Sequence, residues 1–317
     1  MSSFVKNSIN VADCQVLTDK SASGRVRPWA LYKLANTYIA YAYDEIDEKK
    51  ASRLRECANV LTYRRDGEVL RLVHADFCRV RLCPICQWRR SLKNYGQMLK
   101  ILGALQGQYS YIFLTLTMKN CSGDALSDTL DTLFASYNRL TKNKAVKKVV
   151  KGWYRACEVT HNLDTNEYHP HLHCILAVNK SYFTSRDYIN QGDWVEHWKQ
   201  ALQVDYTPVL DVRKIKGDDT KAVAEASKYA VKANDVINYD DWDLTVETVS
   251  ILDKALAGRR FVGFGGVMRD VHKALNLDDS DDGDLLDIGQ KGDTITSDDV
   301  DEITFVWHSG YNQYRRE

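Results

Sequence analysis

Apolar residues alternate with polar residues in the middle of the chain, which is the pattern of strands with one buried face. In the segment His169-Pro-His-Leu-His-Cys-Ile-Leu176, His171 and His173 point to one side and the intervening apolar residues point to the other. The same alternation predicts a strand over residues 153–160. A turn between these two strands predicts a hairpin in which Glu158 faces the histidines.

Apolar residues that recur every three or four positions predict helices on both sides of this hairpin. The predicted helices cover residues 29–41, 45–61, 88–105, 126–140, 186–202 and 220–233. Two further strands are predicted over residues 111–117 and 209–215. The order β-α-β-β-α-β-α is typical of a mainly antiparallel sheet with packed helices, which is an α+β fold.

The overall composition is that of a soluble globular protein. Hydrophobic residues make up 44% of the chain and charged residues 27%, and both values are ordinary for this class. No apolar run is long enough to span a bilayer, and the polar first residues lack the apolar region of a secretory signal. We therefore expect a cytoplasmic protein that has no membrane partner.

The charge is distributed unevenly, although the formal net charge is zero. Residues 271–317 contain 12 Asp and Glu against 4 Lys and Arg, a balance of −8, so the remaining residues carry +8. A basic body suits a polyanionic partner such as nucleic acid. The basic residues partly cluster in two groups, Arg79, Arg81, Arg89, Arg90 and Lys93, and Lys142, Lys144, Lys147, Lys148 and Lys151.

The cysteine spacing predicts a structural zinc site rather than disulfides, because cysteines of a cytoplasmic protein stay reduced. Cys78, Cys83 and Cys86 form a tight cluster of the kind that closes tetrahedrally on zinc. Cys57 upstream is the fourth predicted ligand, and His74 is a competing donor.

A second metal site is predicted at the hairpin, where His171 and His173 share one strand face with Glu158 opposite them. Histidines with a carboxylate suit Mn²⁺, whereas Mg²⁺ is the commoner cellular ion. Such an ion would polarise a phosphate oxygen and align the scissile bond for in-line attack.

A candidate nucleophile lies in the last predicted helix. Tyrosine hydroxyls form covalent intermediates when they are positioned and activated. Glu225 lies four residues before Tyr229, and Lys232 is predicted to share the same helical stripe. Lys228 and Lys232 are expected to help activate the hydroxyl.

Three motifs in order resemble those of the HUH endonuclease superfamily. They are Phe113-Leu-Thr-Leu-Thr117, His169-Pro-His-Leu-His173 and Lys228-Tyr229-x-x-Lys232. The cysteine segment 77–90 and the segment Glu158-Val-Thr-His-Asn162 resemble one branch, the rolling-circle plasmid replication initiators of Gram-positive bacteria (Rep family 1). The resemblance extends from about Trp29 to Asp279.

The resemblance implies a DNA-nicking and strand-joining enzyme. In this branch a tyrosine cuts one strand at the double-strand origin, keeps a 5′-phosphotyrosine link and leaves a 3′-OH that primes synthesis. By analogy, Tyr229 is the nucleophile, His171, His173 and Glu158 are the metal ligands, and Glu225 activates the water that ends replication. His161 departs from the tyrosine expected after Glu-Val-Thr, and His169 is either a ligand or a group that orients one.

The expected partners are plasmid origin DNA, in single-stranded or hairpin form, and a host replicative helicase, while a homodimer stays open. The residues expected to anchor or read DNA are Arg79, Arg81, Arg89, Arg90 and Lys228. We predict a helical, zinc-binding N-terminal region over residues 1–107, an HUH nicking domain over 108–270 and an acidic, flexible tail over 271–317.

Two alternatives remain at this point. A related HUH transposase or relaxase would share the histidine pair, but the cysteine segment favours the plasmid branch. A zinc-dependent DNA-binding regulator would bind DNA without cutting it. Metal-dependent cleavage of a single-stranded oligonucleotide separates an enzyme from a regulator.

Overall fold

The sequence blocks with alternating apolar residues fold as strands. The computed structural model of the chain describes residues 16–21, 24–66, 69–216, 220–228, 230–279, 283–288 and 301–317. The strands are β1 (Val60–Asp66), β2 (Val69–Ala75), β3 (Tyr109–Thr117), β4 (Val150–Asn162), β5 (Glu167–Asn179), β6 (Leu210–Ile215), β7 (Val262–Gly266), β8 (Glu302–His308) and β9 (Gln313–Arg316). They form two antiparallel sheets, with strand orders β6-β3-β5-β4-β7 and β2-β1-β8-β9.

The blocks with helical periodicity fold as helices around these sheets. The helices are α1 (Trp29–Asp44), α2 (Glu48–Glu56), α3 (Pro84–Ala104), α4 (Leu126–Lys142), α5 (Lys144–Val149), α6 (Gln191–Leu202), α7 (Thr220–Ala226), α8 (Trp242–Leu256) and α9 (Val267–Ala274). Short 3-10 turns occur at Tyr182–Thr184 and Ala233–Asp235. The predicted α+β class is therefore confirmed.

Helices cover both faces of the β6-β3-β5-β4-β7 sheet. Leu172, Cys174 and Leu176 of β5 pack into a core that also contains apolar side chains of α4, α6 and α8. Ile175 and Ala177 point the other way and pack with side chains of α3, α7 and α9. Because side chains alternate along a strand, His171 and His173 lie on the face covered by α3, α7 and α9.

The second sheet joins the hairpin over residues 60–75 to the strands over residues 302–316. β1 and β2 form a hairpin for which the sequence patterns gave no prediction, and the helix predicted over residues 45–61 is shorter than expected, since α2 ends at Glu56 and β1 begins at Val60. β8 pairs with β1 in antiparallel register. Apolar residues of the N-terminal region and of the central sheet belong to one hydrophobic core.

The expectation of an acidic, flexible tail over residues 271–317 is wrong for the described part of that segment. α9 extends to Ala274, and Ile303, Phe305 and Tyr314 of β8 and β9 are buried. The high net charge of the segment hid a short apolar alternation that completes the second sheet. Most of the acidic run between these elements, residues 280–282 and 289–300, lies outside the described residues.

The helix predicted over residues 220–233 is shorter than expected, because α7 ends at Ala226. Beyond it, the N–H of Val231 donates to Oε1 of Gln87 at 3.0 Å, and the carbonyl of Ala230 accepts from the N–H of Val159 at 2.6 Å. These tertiary hydrogen bonds replace the bonds that a continuing helix would form. Glu225 and Lys232 therefore do not share a helical stripe.

None of the helices in the described part of the chain has the length and apolar content that crossing a membrane requires.

Candidate metal centre and active site

Glu158, His171 and His173 form a compact group of donor atoms, called here the histidine cluster. The β4–β5 register sets Glu158 opposite His171, and His173 follows two residues later on the same face. The two histidine Nε2 atoms lie 3.1 Å apart. Oε2 of Glu158 lies 3.2 Å from Nε2 of His173 and 3.4 Å from Nε2 of His171. All three residues are buried.

The other ring nitrogen of each histidine has a partner that fixes the ring. Nδ1 of His171 lies 3.1 Å from the carbonyl oxygen of His169, which can only accept, so this nitrogen carries the proton. Nδ1 of His173 lies 3.4 Å from Oγ1 of Thr115 on β3. Such partners hold the Nε2 lone pair toward a metal. The strand that contains Thr115 carries a recognisable sequence motif, but no local pattern indicates a role for this side chain.

Lys232 neutralises the outer oxygen of the cluster's carboxylate. Its Nζ atom lies 2.5 Å from Oε1 of Glu158. Burial raises the pKa of Glu158, but its contacts with His171 and His173 and the hydrogen bond from Lys232 outweigh this effect, so this pKa lies well below its ordinary value. The carboxylate is thus ionised and offers Oε2 to the two histidines.

The donor set of the histidine cluster fits a divalent metal. Two imidazole nitrogens and one carboxylate oxygen converge from three directions, with their donor atoms within 4.8 Å of one another. Without a shared cation, Nε2 lone pairs would face each other in a buried site, which is unfavourable. Mixed nitrogen and oxygen ligands of this kind bind Mn²⁺, Fe²⁺ and Zn²⁺ and leave positions open for substrate.

Glu225 lies at the edge of the histidine cluster. Its Oε1 atom is 3.9 Å from Nε2 of His173 and 2.5 Å from Nζ of Lys228. Tyr229, the predicted nucleophile, lies outside the described residues. The residues on either side of it, Lys228 and Ala230, contact Glu225 and Val159, respectively.

The four predicted zinc ligands, called here the cysteine cluster, come together at the start of α3. Sγ of Cys57 lies 3.6 Å from Sγ of Cys83 and 3.7 Å from Sγ of Cys86, and Sγ of Cys78 lies 3.8 Å from Sγ of Cys86. Zn–S bonds of about 2.3 Å in a tetrahedron place sulfur atoms roughly 3.8 Å apart. The cysteine cluster therefore fits one structural zinc ion.

Local backbone geometry explains how these thiols converge. Arg79 has a left-handed φ of 58°, and its N–H donates to Sγ of Cys86 at 3.3 Å. Burial raises the pKa of the Cys86 thiol, but hydrogen bonds from the other three thiols and the charge of Arg90 hold it well below its ordinary value. The competing donor His74 is exposed and lies near Asp76, outside the cluster.

The family model described as Replication protein matches residues 69–315 of the chain. The chain belongs to the replication protein family. This confirms the family that the sequence motifs predicted.

Relatives of this replication protein cover most of its length. A Protein rep of Bacillus amyloliquefaciens is 38% identical over 332 residues, covering 95% of this chain and 97% of that protein. A Protein rep of a Bacillus species is 41% identical over 265 residues, covering 77% and 86%. A Protein rep of Lactiplantibacillus plantarum is 35% identical over 313 residues, covering 95% and 98%. No solved structure matches the chain.

The arginines that were expected to contact DNA divide into two kinds in this replication protein. Arg89 and Arg90 are buried, with only 1% and 3% of their surface exposed. Arg89 donates to the carbonyls of Leu285 and Leu286, both at 2.9 Å. The prediction that Arg89 and Arg90 contact DNA is therefore wrong, since both arginines bind parts of the protein itself. Arg79 is exposed and Arg81 half-buried, so their role in DNA binding stays a prediction.

The two remaining histidines of the hairpin lie outside the donor set. Nε2 of His161 lies 2.9 Å from Oδ1 of Asn166, and its ring stacks on Tyr168 with centroids 4.1 Å apart. Nδ1 of His169 lies 2.8 Å from Oδ1 of Asn120, and the carbonyl of His169 orients His171. The alternative in which His169 orients a ligand therefore fits the geometry. Asn120 and Gln87 gave no recognisable signal in the sequence.

Proposed function

We propose that this replication protein initiates rolling-circle replication of a plasmid by nicking one strand of its double-strand origin. Membership of the replication protein family supports the role in replication. The nicking chemistry is our proposal, and the histidine cluster carries it. Three ionisable donors within 3.1–3.4 Å of one another form a metal-binding group of the kind that phosphoryl-transfer enzymes use.

In the proposed reaction, the Tyr229 hydroxyl oxygen attacks the phosphorus of the scissile phosphate. A tyrosine–phosphorus bond forms and the bond from phosphorus to the 3′ oxygen breaks, so the 5′ phosphate stays on the protein. The hydroxyl proton is lost, and the 3′ oxygen takes up a proton and becomes a primer end. Rejoining or hydrolysis reverses the link at termination.

His171, His173 and Glu158 would hold Mn²⁺ or Mg²⁺, which when bound polarises a phosphate oxygen. Lys232 holds the outer oxygen of Glu158 and so keeps its inner oxygen turned to the histidines. Lys228 lies next to the nucleophile in sequence, and it is half-exposed and able to meet a phosphate.

The test is covalent attachment of the protein to an origin oligonucleotide that is labelled at its 3′ end. With Mn²⁺ present, we expect the wild-type protein to form a labelled adduct and the Tyr229→Phe variant to form none. The matched control is Tyr239→Phe, which removes an exposed tyrosine hydroxyl from the same region. An adduct formed by Tyr229→Phe and lost in Tyr239→Phe would identify Tyr239 as the nucleophile.

His173→Ala should also abolish the adduct while leaving binding of the uncut oligonucleotide within a few-fold of the wild type. DNA binding without any cleavage in the wild type, across Mn²⁺ and Mg²⁺, would instead favour the non-catalytic regulator. Sequence relatives favour an origin over a transposon end or a transfer origin as the substrate.

A further inference from the structure

The end of the central sheet that lies away from the histidine cluster is strongly basic. Lys144, Lys147 and Lys148 of α5 are exposed, and their spacing places them on one side of the helix. Val146 and Val149 bury the opposite side of α5. The sequence from position 141 to position 151 contains no Asp or Glu.

Two further exposed lysines belong to the same surface. Lys180 directly follows β5, whose Val178 pairs with Val150 at the start of β4, next to α5. Lys214 lies near the matching end of β6, and its Nζ atom lies 4.5 Å from the ring centroid of Phe183. We call this surface the lysine face, formed by Lys144, Lys147, Lys148, Lys180 and Lys214.

Among the residues that the structure describes, one carboxylate contact links these elements. Nζ of Lys148 lies 2.7 Å from Oδ1 of Asp187, which follows the 3-10 turn that contains Phe183. The pair connects α5 to the loop after β5. Even with Lys148 neutralised by Asp187, the other four lysines leave the face positively charged.

The lysine face is too far from the histidine cluster to touch the same phosphate. Seven residues along β5 separate His173 from Lys180, which at roughly 3.3 Å per residue is about 23 Å. The lysine face also lies on the other side of the sheet, because α5 and Phe183 pack into the core shared with α4, α6 and α8, whereas the histidines face α3, α7 and α9. The face therefore contacts a different part of any DNA that occupies the nicking site.

The width of the lysine face matches duplex DNA. From β6 to β4 there are three strand spacings of about 4.8 Å, or roughly 14 Å. A major groove is about 12 Å wide, so lysines across this face reach phosphates on both sides of it. Lysine is a flexible point charge that binds phosphate without reading sequence.

We propose that the lysine face binds the backbone of a duplex segment that flanks the nick site, on the opposite side of the sheet from the histidine cluster, and holds it while the single strand enters that cluster. The proposal rests on the proposed function only for the position of the nick. Duplex binding itself involves no cleavage, so it is measured independently of that function.

The test uses a fluorescein-labelled duplex of arbitrary sequence, two helical turns long, and a labelled single strand of the same length, with EDTA-free buffer and no added Mn²⁺. The variant is Lys144→Gln/Lys147→Gln/Lys180→Gln, because glutamine keeps the helix propensity of lysine. The matched control is Lys20→Gln/Lys49→Gln/Lys254→Gln, which removes three exposed lysines elsewhere. Affinity is measured across a range of salt concentrations.

We expect the slope of log affinity against log salt for the duplex to fall by about 2 to 3 in the lysine-face variant, since each lost phosphate contact removes about 0.9. The control variant should keep the wild-type slope. Equal slopes for the wild type and the lysine-face variant would overturn the proposal, as would an equal loss in the control.

Binding of the labelled single-stranded DNA gives the second discriminating result. Tyr188 is exposed beside the face, with 48% of its surface accessible, and an aromatic ring of this kind stacks on unpaired bases. If Tyr188→Ala and the lysine-face variant weaken single-strand binding more than duplex binding, the face is a single-strand groove and the duplex assignment is wrong. We expect Tyr188→Ala to leave duplex affinity unchanged.

Discussion

Glu225 has two contacts that suggest two different roles. Its carboxylate lies 3.9 Å from His173, which suits a general base beside the reacting phosphate. The same oxygen lies 2.5 Å from Lys228, which suits a surface ion pair worth a few tenths of a kcal/mol. One substitution separates these roles.

Glu225→Ala should leave initiation nicking nearly normal and slow termination by about 10²- to 10⁴-fold, which is the usual contribution of a general base. Replication would then run past the origin and give products longer than one plasmid unit, which gel electrophoresis detects. Lys228→Ala is the control, because it breaks the ion pair and keeps the carboxylate. Unit-length products at wild-type yield from Glu225→Ala would exclude the catalytic role.

Thr115 lies on β3, and the pairing of β3 with β5 brings its hydroxyl next to His173. Thr115→Val keeps the side-chain shape but removes the hydroxyl beside Nδ1 of His173. Loss of such a partner should weaken Mn²⁺ binding by about 10- to 100-fold, measured by calorimetry. Thr117→Val, on the same strand, should bind Mn²⁺ like the wild type. Equal affinities in both variants would mean that packing alone orients His173.

At the scale of elements, α3 links the two candidate metal sites. The first turn of α3 carries Cys86. The next residue, Gln87, accepts a hydrogen bond from the N–H of Val231, which lies two residues after the proposed nucleophile Tyr229. The cysteine cluster therefore stabilises the segment on which the proposed chemistry depends.

Gln87→Met should lower the free energy of unfolding by about 1–3 kcal/mol, because it leaves the buried N–H of Val231 without an acceptor. Chemical denaturation measures this change. Gln106→Met, at an exposed position beyond α3, should change stability by less than about 0.5 kcal/mol. If both variants unfold alike, the Gln87 hydrogen bond contributes no net stability.

The cysteine cluster should hold one zinc equivalent, which elemental analysis of the purified protein measures. Structural zinc contributes on the order of 10 kcal/mol to a small module, so Cys83→Ser should unfold the N-terminal region and release the metal. Cys121→Ser, a cysteine outside the cluster, is the control. Folded wild-type protein with far less than one equivalent of zinc would contradict this prediction.

At the scale of the whole molecule, the C-terminal strands complete the N-terminal sheet. The Tyr314 hydroxyl donates to the carbonyl of Ala58 at 2.8 Å, next to Cys57 of the cysteine cluster. Phe305 and Tyr314 are nearly fully buried. The C-terminal strands therefore pack against β1 and the segment that carries Cys57.

Deletion of residues 301–317 should lower stability by about 5 kcal/mol or more, since full burial of each large apolar side chain contributes about 1.5–3 kcal/mol. Thermal unfolding followed by circular dichroism measures the loss. The control replaces Asp293, Asp298 and Asp299 with Asn, which removes charge and keeps both strands. An unchanged melting temperature after the deletion would show that the strands are dispensable.

Local sequence patterns predicted the central hairpin and the cysteine cluster of this protein. Alternation fixed the β4–β5 hairpin and the shared face of His171 and His173, because side-chain direction along a strand has a period of two. The cysteine spacing predicted the four cysteines that the fold brings together in the cysteine cluster. Both patterns lie within short stretches of the chain, so they can be recognised without knowledge of the fold.

Tertiary structure decided the features that depend on residues far apart in sequence. Arg89 looks like a DNA contact in sequence, but it binds carbonyls at Leu285 and Leu286. α7 stops at Ala226 because Gln87 and Val159 take up backbone groups of the next residues. No local pattern carries such information, since burial and hydrogen bonding are set by partners that only the folded chain brings together.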